Sequence, residues 1–328
     1  MSTGVVLVVG GAGYIGSHMV KVLCEAGCEV VVLDNLVTGH RAALPEGVTF
    51  IKGDMADRAI LDALLEQHRV GAVMHFAAFI EVGESVRSPG KYYRNNVAAT
   101  LVLLEALVDH GIDRLIFSST AAVYGEPRYT PIDESHPREP INPYGRSKWM
   151  VENMLEDYRR AYGLRSVTLR YFNAAGAHPD GSLAERHDPE THLIPIVLET
   201  STGKRTHVSV YGHDYPTADG TCIRDYVHVT DLCNAHLLAL RYLEKGGDSA
   251  AFNLGNGGGF SVREVIETAR AVTGCAIKVM DGPRRDGDPA VLVADATAAR
   301  NVLGWQPEYT RLEPIVEHAW KALQRHLY

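Results

Sequence analysis

The stretch NPYGRSK, residues 142 to 148, sets a phenol, Tyr144, four positions before an ammonium, Lys148. On a helix, side chains four apart share a face, with Cβ atoms about 5–6 Å from one another. Pro143 suits a helix's first turn, where its missing N–H loses nothing. The two side chains can therefore act together, and what they can do is move a proton, because a neighbouring positive charge favours the phenolate. The same spacing also arises by accident on helix surfaces. The rest of the chain has to decide between the two.

Near the start, VVLVVGGAGYIGSH holds Gly10, Gly13 and Gly16 at GxxGxxG spacing between a strand-like run and a helix-like one. Glycines there permit a tight turn, close approach to a pyrophosphate and close helix–sheet packing, while the helix N-terminus offers N–H donors to the anion. EVVVLD ends in Asp34, where a carboxylate binds the adenosine ribose hydroxyls and repels a 2′-phosphate, which selects NAD over NADP. Asp54, closing KGD, can meet the adenine amino group or cap the following helix. Ala77 and Ala78 are expected to end the fourth strand with side chains small enough to leave room for a cofactor. Ser118, Ser119 and Thr120 close RLIFSST, and the Thr120 hydroxyl can share a proton with Tyr144 or cap a turn.

These groups need a scaffold that aligns strand ends. β-Rich runs at 5–10, 29–34, 48–54, 72–78, 114–120 and 166–173 alternate with helix-like runs such as SHMVKVLCEAG, RAILDALLEQH and the stretch from Tyr92 to His110. That alternation predicts an α/β fold, a Rossmann-type doubly wound parallel sheet whose strand ends share one crevice. After Asn173 the Gly-, Pro- and His-rich AAGAHPDGSLAERHDPETH marks a boundary. The expected division is a dinucleotide-binding domain of 1–173 plus 227–250 and a smaller substrate domain of 174–226 plus 251–328.

The balance of 32 basic and 40 acidic residues, net −8, argues against nucleic-acid or anionic-membrane binding through overall charge. Five scattered cysteines without a CxxC pair indicate neither a disulfide framework nor a zinc site. No apolar run reaches the ~18 residues of a membrane span, and a cytoplasmic location is the expectation.

Taken together, GGAGYIGSH, LDNL, HFAA, VGESV, YYRNNV, FSSTAAVYG, PYGRSK, LRYFNAAGAHP, YGHDYPTADGTCIRDYVHV, FNLGNG and RRDGDP identify the chain as resembling the extended short-chain dehydrogenase/reductase family, most closely its UDP-glucose 4-epimerase branch. The resemblance covers nearly the whole chain and implies NAD as a tightly retained cofactor, a UDP-sugar substrate and a homodimer. It makes Tyr144 the acid/base, Lys148 the ligand of the nicotinamide ribose that lowers the tyrosine's pKa, and Thr120 the accompanying hydroxyl. To the cofactor it assigns Tyr14, Ile15, Asn35, Met55, Phe76, Asn95, Ser118 and Tyr171 besides the groups above. To the UDP-sugar it assigns Thr120, Asn173, His192, Leu193, Tyr211, Arg224, Arg285 and Asp288, with the two arginines on the diphosphate and Tyr211 by the uracil.

Several positions depart from the branch. Ile80 replaces a lysine found near the cofactor in some relatives, His192 an asparagine, and Leu292 stands where a tyrosine or a smaller residue sets access for N-acetyl sugars. UDP-GlcNAc and UDP-GalNAc are therefore candidate substrates. A 4,6-dehydratase needs an acid and a base where this chain has Ala121 and Ala122. Epimerases of UDP-glucuronate or UDP-pentoses, and a non-catalytic NAD sensor, are the alternatives. His187 and His192 find no convincing third ligand in the sequence, so no metal is expected.

Overall fold

A computed structural model describes residues 4–285 and 288–327; Asp286 and Gly287 of the RRDGDP motif lie outside them. Six strands follow the expected alternation: β1 (Val5–Val9), β2 (Val30–Asp34), β3 (Thr49–Lys52), β4 (Val70–His75), β5 (Arg114–Thr120) and β6 (Arg165–Tyr171). With Ala250–Leu254 they form one seven-stranded sheet, ordered Ala250–Leu254, β6, β5, β4, β1, β2, β3, and every pair is parallel. The strand order reverses between β1 and β4. At such a switch point the connections leave to opposite faces and open a crevice at the strands' carboxyl ends.

β1 is apolar throughout and wholly buried because both faces of the sheet are covered. Val6 and Val8 face the helices Tyr14–Glu25 and Val229–Glu244, while Leu7 and Val9 face Arg58–Gln67, Ala99–Asp109 and Pro143–Tyr162. A third apolar cluster joins Leu193–Ser201, Val262–Thr273 and Leu312–Leu327 through Ile194, Val197, Val265, Ile266, Ile315 and Val316.

The strand Ala250–Leu254 runs across the expected domain boundary at residue 250. Its polar surroundings in sequence hide a pairing made with β6 some eighty residues earlier. Trp305 also packs with the first cluster, its indole N–H donating to Asp231 O at 2.9 Å. The stretch from Tyr92 to Asp109 is helical as expected but not uniformly wound. A wider π-type turn, Tyr93–Ala98, separates Pro89–Tyr92 from Ala99–Asp109. It turns Asn96 inward, where the amide accepts from Phe79 N and donates to Phe79 O and Ser147 Oγ, bracing the helix that carries Tyr144.

Candidate active site

The glycine loop separates two reasons for lacking a side chain. A Cβ at Gly10, whose φ is +80°, would lie 2.5 Å from Ala77 N, and one at Gly16 would lie 2.1 Å from Gly10 O. Both positions must be bare for the chain to fold. At Gly13 the nearest atom would be Gly10 O at 3.5 Å, an ordinary contact. Packing does not explain Gly13. It caps the helix Tyr14–Glu25 with no side-chain bond, which leaves open space over N–H groups suited to a pyrophosphate. The residues present thus fit a dinucleotide.

Asp34 is buried and already employed: Oδ2 accepts from Ala12 N at 2.9 Å and Oδ1 from Leu36 N at 2.8 Å. Each carboxylate oxygen retains a lone pair for a ribose hydroxyl. Asn35 Nδ2 donates to Asp54 Oδ2 at 2.9 Å, and Asp54 Oδ1 accepts from Ala56 N. Asp57, not Asp54, caps the next helix. Met55 is buried at the same edge. Asn95 and Asp54 line one small depression, and Asn95 Nδ2 donates to Asn96 Oδ1.

β4 stops at His75, so Phe76, Ala77 and Ala78 follow the strand rather than end it; Phe76 N and Ala77 N both donate to Val9 O, curling the chain away. Tyr14 donates to Gly176 O at 2.7 Å, and Ile15 O faces Cys233 Sγ.

Asn142 starts the helix Pro143–Tyr162 by accepting from Gly145 N at 2.8 Å, and Tyr144 enters in its first turn. Thr120, at the end of β5, caps the next turn: its Oγ1 accepts from Ala122 N at 3.1 Å, and the hydroxyl stands on the side of the Tyr144 phenol. Burial pushes that phenol up to about 12, with the Thr120 hydroxyl pulling the other way. Lys148 is expected to lower it together with bound oxidised nicotinamide. The lysine is buried, its Nζ donates to Ser118 O at 2.8 Å, and burial drags the ammonium itself down to about 7 against the pull of Glu152. Ser118 Oγ bonds the Tyr171 hydroxyl, whose pKa burial also raises.

That lysine gives stability a pH dependence. Unfolded, it holds its proton to about 10.5; folded, it releases it near 7. Unfolding takes up a proton between those values, so stability rises with pH across the window. Denaturant melts of nucleotide-free protein should show the rise, and Lys148→Met should flatten it.

Sequence reasoning passed over the support beneath this group. Ser119 Oγ donates to Glu152 Oε1 at 2.6 Å, Glu152 pairs with Arg170 at 2.6 Å, and Arg170 donates to the Tyr124 hydroxyl, which in turn donates to Asn253 Oδ1. Glu152 stands one helical turn beyond Lys148, so its spacing was visible; Arg170 sits near the end of a mixed strand, and nothing in its local sequence discloses its partner.

Beyond Tyr171 lies a cavity of about 620 Å³, within the range of small-ligand pockets. Asn173, His192, Leu193, Tyr211, Arg224, Arg285 and Asp288 all line it. Arg224 pairs with Asp288, not with its neighbour Asp225, which is buried and accepts from Asn256, Gly257 and Ala294 N–H groups. Arg285 lies 4.0 Å over the Tyr211 ring. Leu292 instead packs with the apolar cluster around Tyr124 and Ile132. At the cavity's edge Glu185 and Glu190 join His187 and His192, a grouping the sequence did not disclose. Burial disfavours the imidazolium forms, but the carboxylates outweigh it and lift His187 to about 9 and His192 to about 10.

Comparison with known proteins gives the same picture over the whole chain. A UDP-glucose 4-epimerase of Halalkalibacterium halodurans is 54% identical over 98% of this chain and 96% of its own. The crystal structure of UDP-glucose 4-epimerase from Brucella ovis in complex with NAD superposes with a TM-score of 0.95 at 50% identity, covering 97% of each chain. The UDP-Glc/GlcNAc 4-epimerase from Campylobacter jejuni does so with 0.87 at 45% identity, over 98% of this chain and 99% of that one. The family model for NAD dependent epimerases and dehydratases matches residues 6–255, from β1 through the last strand of the main sheet, and the chain belongs to that family.

Proposed function

We propose that the protein is an NAD-dependent UDP-glucose 4-epimerase, interconverting UDP-glucose and UDP-galactose through a 4-keto sugar. The observation that carries this reading is the half-buried phenol of Tyr144 one helical turn before the buried Lys148 and beside the hydroxyl end of β5, with a glycine loop suited to a dinucleotide and a cavity lined by Arg224 and Arg285 in the same molecule. When bound, NAD supplies reversible acceptance of the hydride from carbon 4. Tyr144, directly or through Thr120, holds the proton that leaves and returns to the 4-hydroxyl. Arg224, steadied by Asp288, and Arg285, steadied on Tyr211, anchor the diphosphate as the keto sugar turns. Gly10, Gly13, Gly16, Asp34 and Asp54 hold the dinucleotide, and Ala121 and Ala122 leave a dehydratase without its acid and base.

The dinucleotide-binding part is 1–173 plus 227–254 and the substrate part 174–226 plus 255–328, which moves one strand from the expected division to join its sheet. A homodimer through the helices Ala99–Asp109 and Pro143–Tyr162 would cover the exposed Leu101, Met150 and Tyr162, and light scattering should then give twice 35.8 kDa. No helix among the described residues is long and apolar enough to cross a membrane, and we place the enzyme in the cytoplasm.

The test is to denature purified protein, identify the released nucleotide, and assay UDP-galactose, UDP-GalNAc, UDP-glucuronate and UDP-xylose without added NAD. Released NAD and turnover of UDP-galactose are expected. Turnover confined to another UDP-sugar would overturn the substrate reading, and none at all would favour a sensor. Leu292, held in the Tyr124 cluster, puts no ring into the sugar site, so UDP-GalNAc is expected to react as well.

A further inference from the structure

Between Asn173–Ala175 and Leu193–Ser201, three side chains to which the reaction gives no role, Glu185, His187 and Glu190, gather around His192 at the rim of the cavity. The potential ligand atoms of Glu185, His187, Glu190 and His192 all lie within 4.8 Å of one another. His192 Nδ1 is 3.0 Å from Glu185 Oε1 and 2.9 Å from Glu190 Oε1; His187 Nδ1 is 3.3 Å from Glu185 Oε1 and 3.5 Å from Glu190 Oε2. A tetrahedral ion with ligands at about 2.0–2.2 Å separates them from each other by roughly 3.3–3.6 Å. The four observed contacts span 2.9 to 3.5 Å and pair imidazole nitrogen with carboxylate oxygen, Glu190 meeting His192 through Oε1 and His187 through Oε2. Little movement is needed to admit the ion.

Two further observations point to a ligand rather than a plain ion-pair cluster. His187 Nδ1 is fully buried yet has no hydrogen-bond partner of acceptable geometry, so a polar atom is aimed into the centre of the group unused. The Glu185 and Glu190 side chains are only 7% and 5% exposed, and two carboxylates so far from water need a positive charge between them. Two imidazolium rings 4.9 Å apart would supply it, and so would one divalent ion at the centre of the group. A divalent ion neutralises both carboxylates while leaving the imidazoles uncharged. The loop is also fixed from behind: Glu190 Oε1 accepts from Thr191 N and His192 N, and Arg205 donates to Glu190 O at 2.8 Å. Outer bonds of this kind orient metal ligands.

We propose that Glu185, His187, Glu190 and His192 form a site for one divalent transition-metal ion of the zinc class at the rim of the large cavity. Two imidazoles with two carboxylates suit Zn²⁺, Co²⁺ or Mn²⁺ better than the all-oxygen preference of Mg²⁺ or Ca²⁺. Glu185 and His192 both line the cavity, so the ion would leave its rim without the negative charge that the bare carboxylates carry. It would pin the segment ahead of Leu193–Ser201. The metal proposal does not depend on which sugar the enzyme accepts.

The test uses the full-length, tag-free protein, stripped with a chelator and titrated with Co²⁺. The expected result is one Co²⁺ per chain, with the intense visible absorption of a tetrahedral site, displaced by one equivalent of Zn²⁺. Glu185→Gln and His187→Gln should each weaken Co²⁺ binding by about 100-fold or more, taking the upper end of what even outer-shell losses cost. His213→Gln, at a histidine paired with Asp281 outside the cluster, should leave it unchanged. Binding of wild type no tighter than that of Glu185→Gln overturns the proposal, as does a thiolate charge-transfer spectrum, which would place the ion on cysteine. If the variants do not fold, the wild-type imidazole proton resonances decide: two histidines must shift on adding Zn²⁺, and their remaining unmoved overturns the site.

Discussion

Tyr144→Phe, which removes a single oxygen, should lower kcat by about 10²–10⁴-fold, the usual worth of a positioned proton carrier. KM for UDP-galactose and the content of bound nucleotide should stay near wild type. The ring remains, the Asn142 cap and the first helical turn are untouched, and the arginines that face the cavity lie elsewhere in the chain. The loss should therefore appear in kcat and kcat/KM alike, the pattern of an interaction made in the transition state. The protein alone leaves this phenol far from ionised, since burial carries it to about 12. Bringing it near neutrality requires positive charge close by, and that is the work expected of bound oxidised nicotinamide together with a charged Lys148. Stopped-flow reduction of the bound nucleotide by UDP-galactose would check the assignment. Reduction at the wild-type rate in Tyr144→Phe would remove Tyr144 from the mechanism.

Arg170→Met should destabilise the protein by about 3–5 kcal/mol, the cost of stripping the partner from a buried charge. Arg170 and Glu152 have side chains only 4% and 5% exposed. Without the guanidinium, Glu152 keeps only the Ser119 hydroxyl, and Tyr124 loses a donor. Arg170→Met combined with Glu152→Leu should recover much of the loss, because replacing both charges with apolar groups leaves neither one stranded. Urea melts of the two single variants and the double variant form the cycle that checks this. Additive losses would mean the two residues act independently. Since Ser119 lies between the Ser118 and Thr120 positions and Lys148 is one turn from Glu152, the destabilised variant should also lose activity before it unfolds globally.

What was legible in the sequence follows from how local each signal is. β1 and β2 declare themselves by apolar runs, β5 by the apolar stretch ahead of its hydroxyl end, and the start of the catalytic helix by Pro143 in its first turn. These depend on neighbours within a few residues. The glycine loop and Asp34 were legible because a tight turn and a strand end have fixed residue preferences. The strand Ala250–Leu254 was misplaced because its partner is β6, and no local feature reports which sheet a strand joins. The π-type turn at Tyr93–Ala98 was missed because one extra residue per turn leaves the apolar rhythm nearly intact. Arg224 stands next to Asp225 in the chain, yet its partner is Asp288, because backbone amides claim Asp225. For Tyr144, helical spacing places Lys148 on the right face, while burial and the Ser118 carbonyl, neither of them local in sequence, set what the lysine's charge is worth within the chain.

The phenol of Tyr14 opens the first helix, one residue after the bare cap of the glycine loop, and its hydrogen lands on the carbonyl of Gly176, at the start of the irregular segment beyond the strand Asn173–Ala175. One ring thus latches the floor of the nucleotide groove to the chain that leads toward the sugar cavity. The two walls of the crevice are therefore tied by a single side chain, and a displacement of either one is felt at the other.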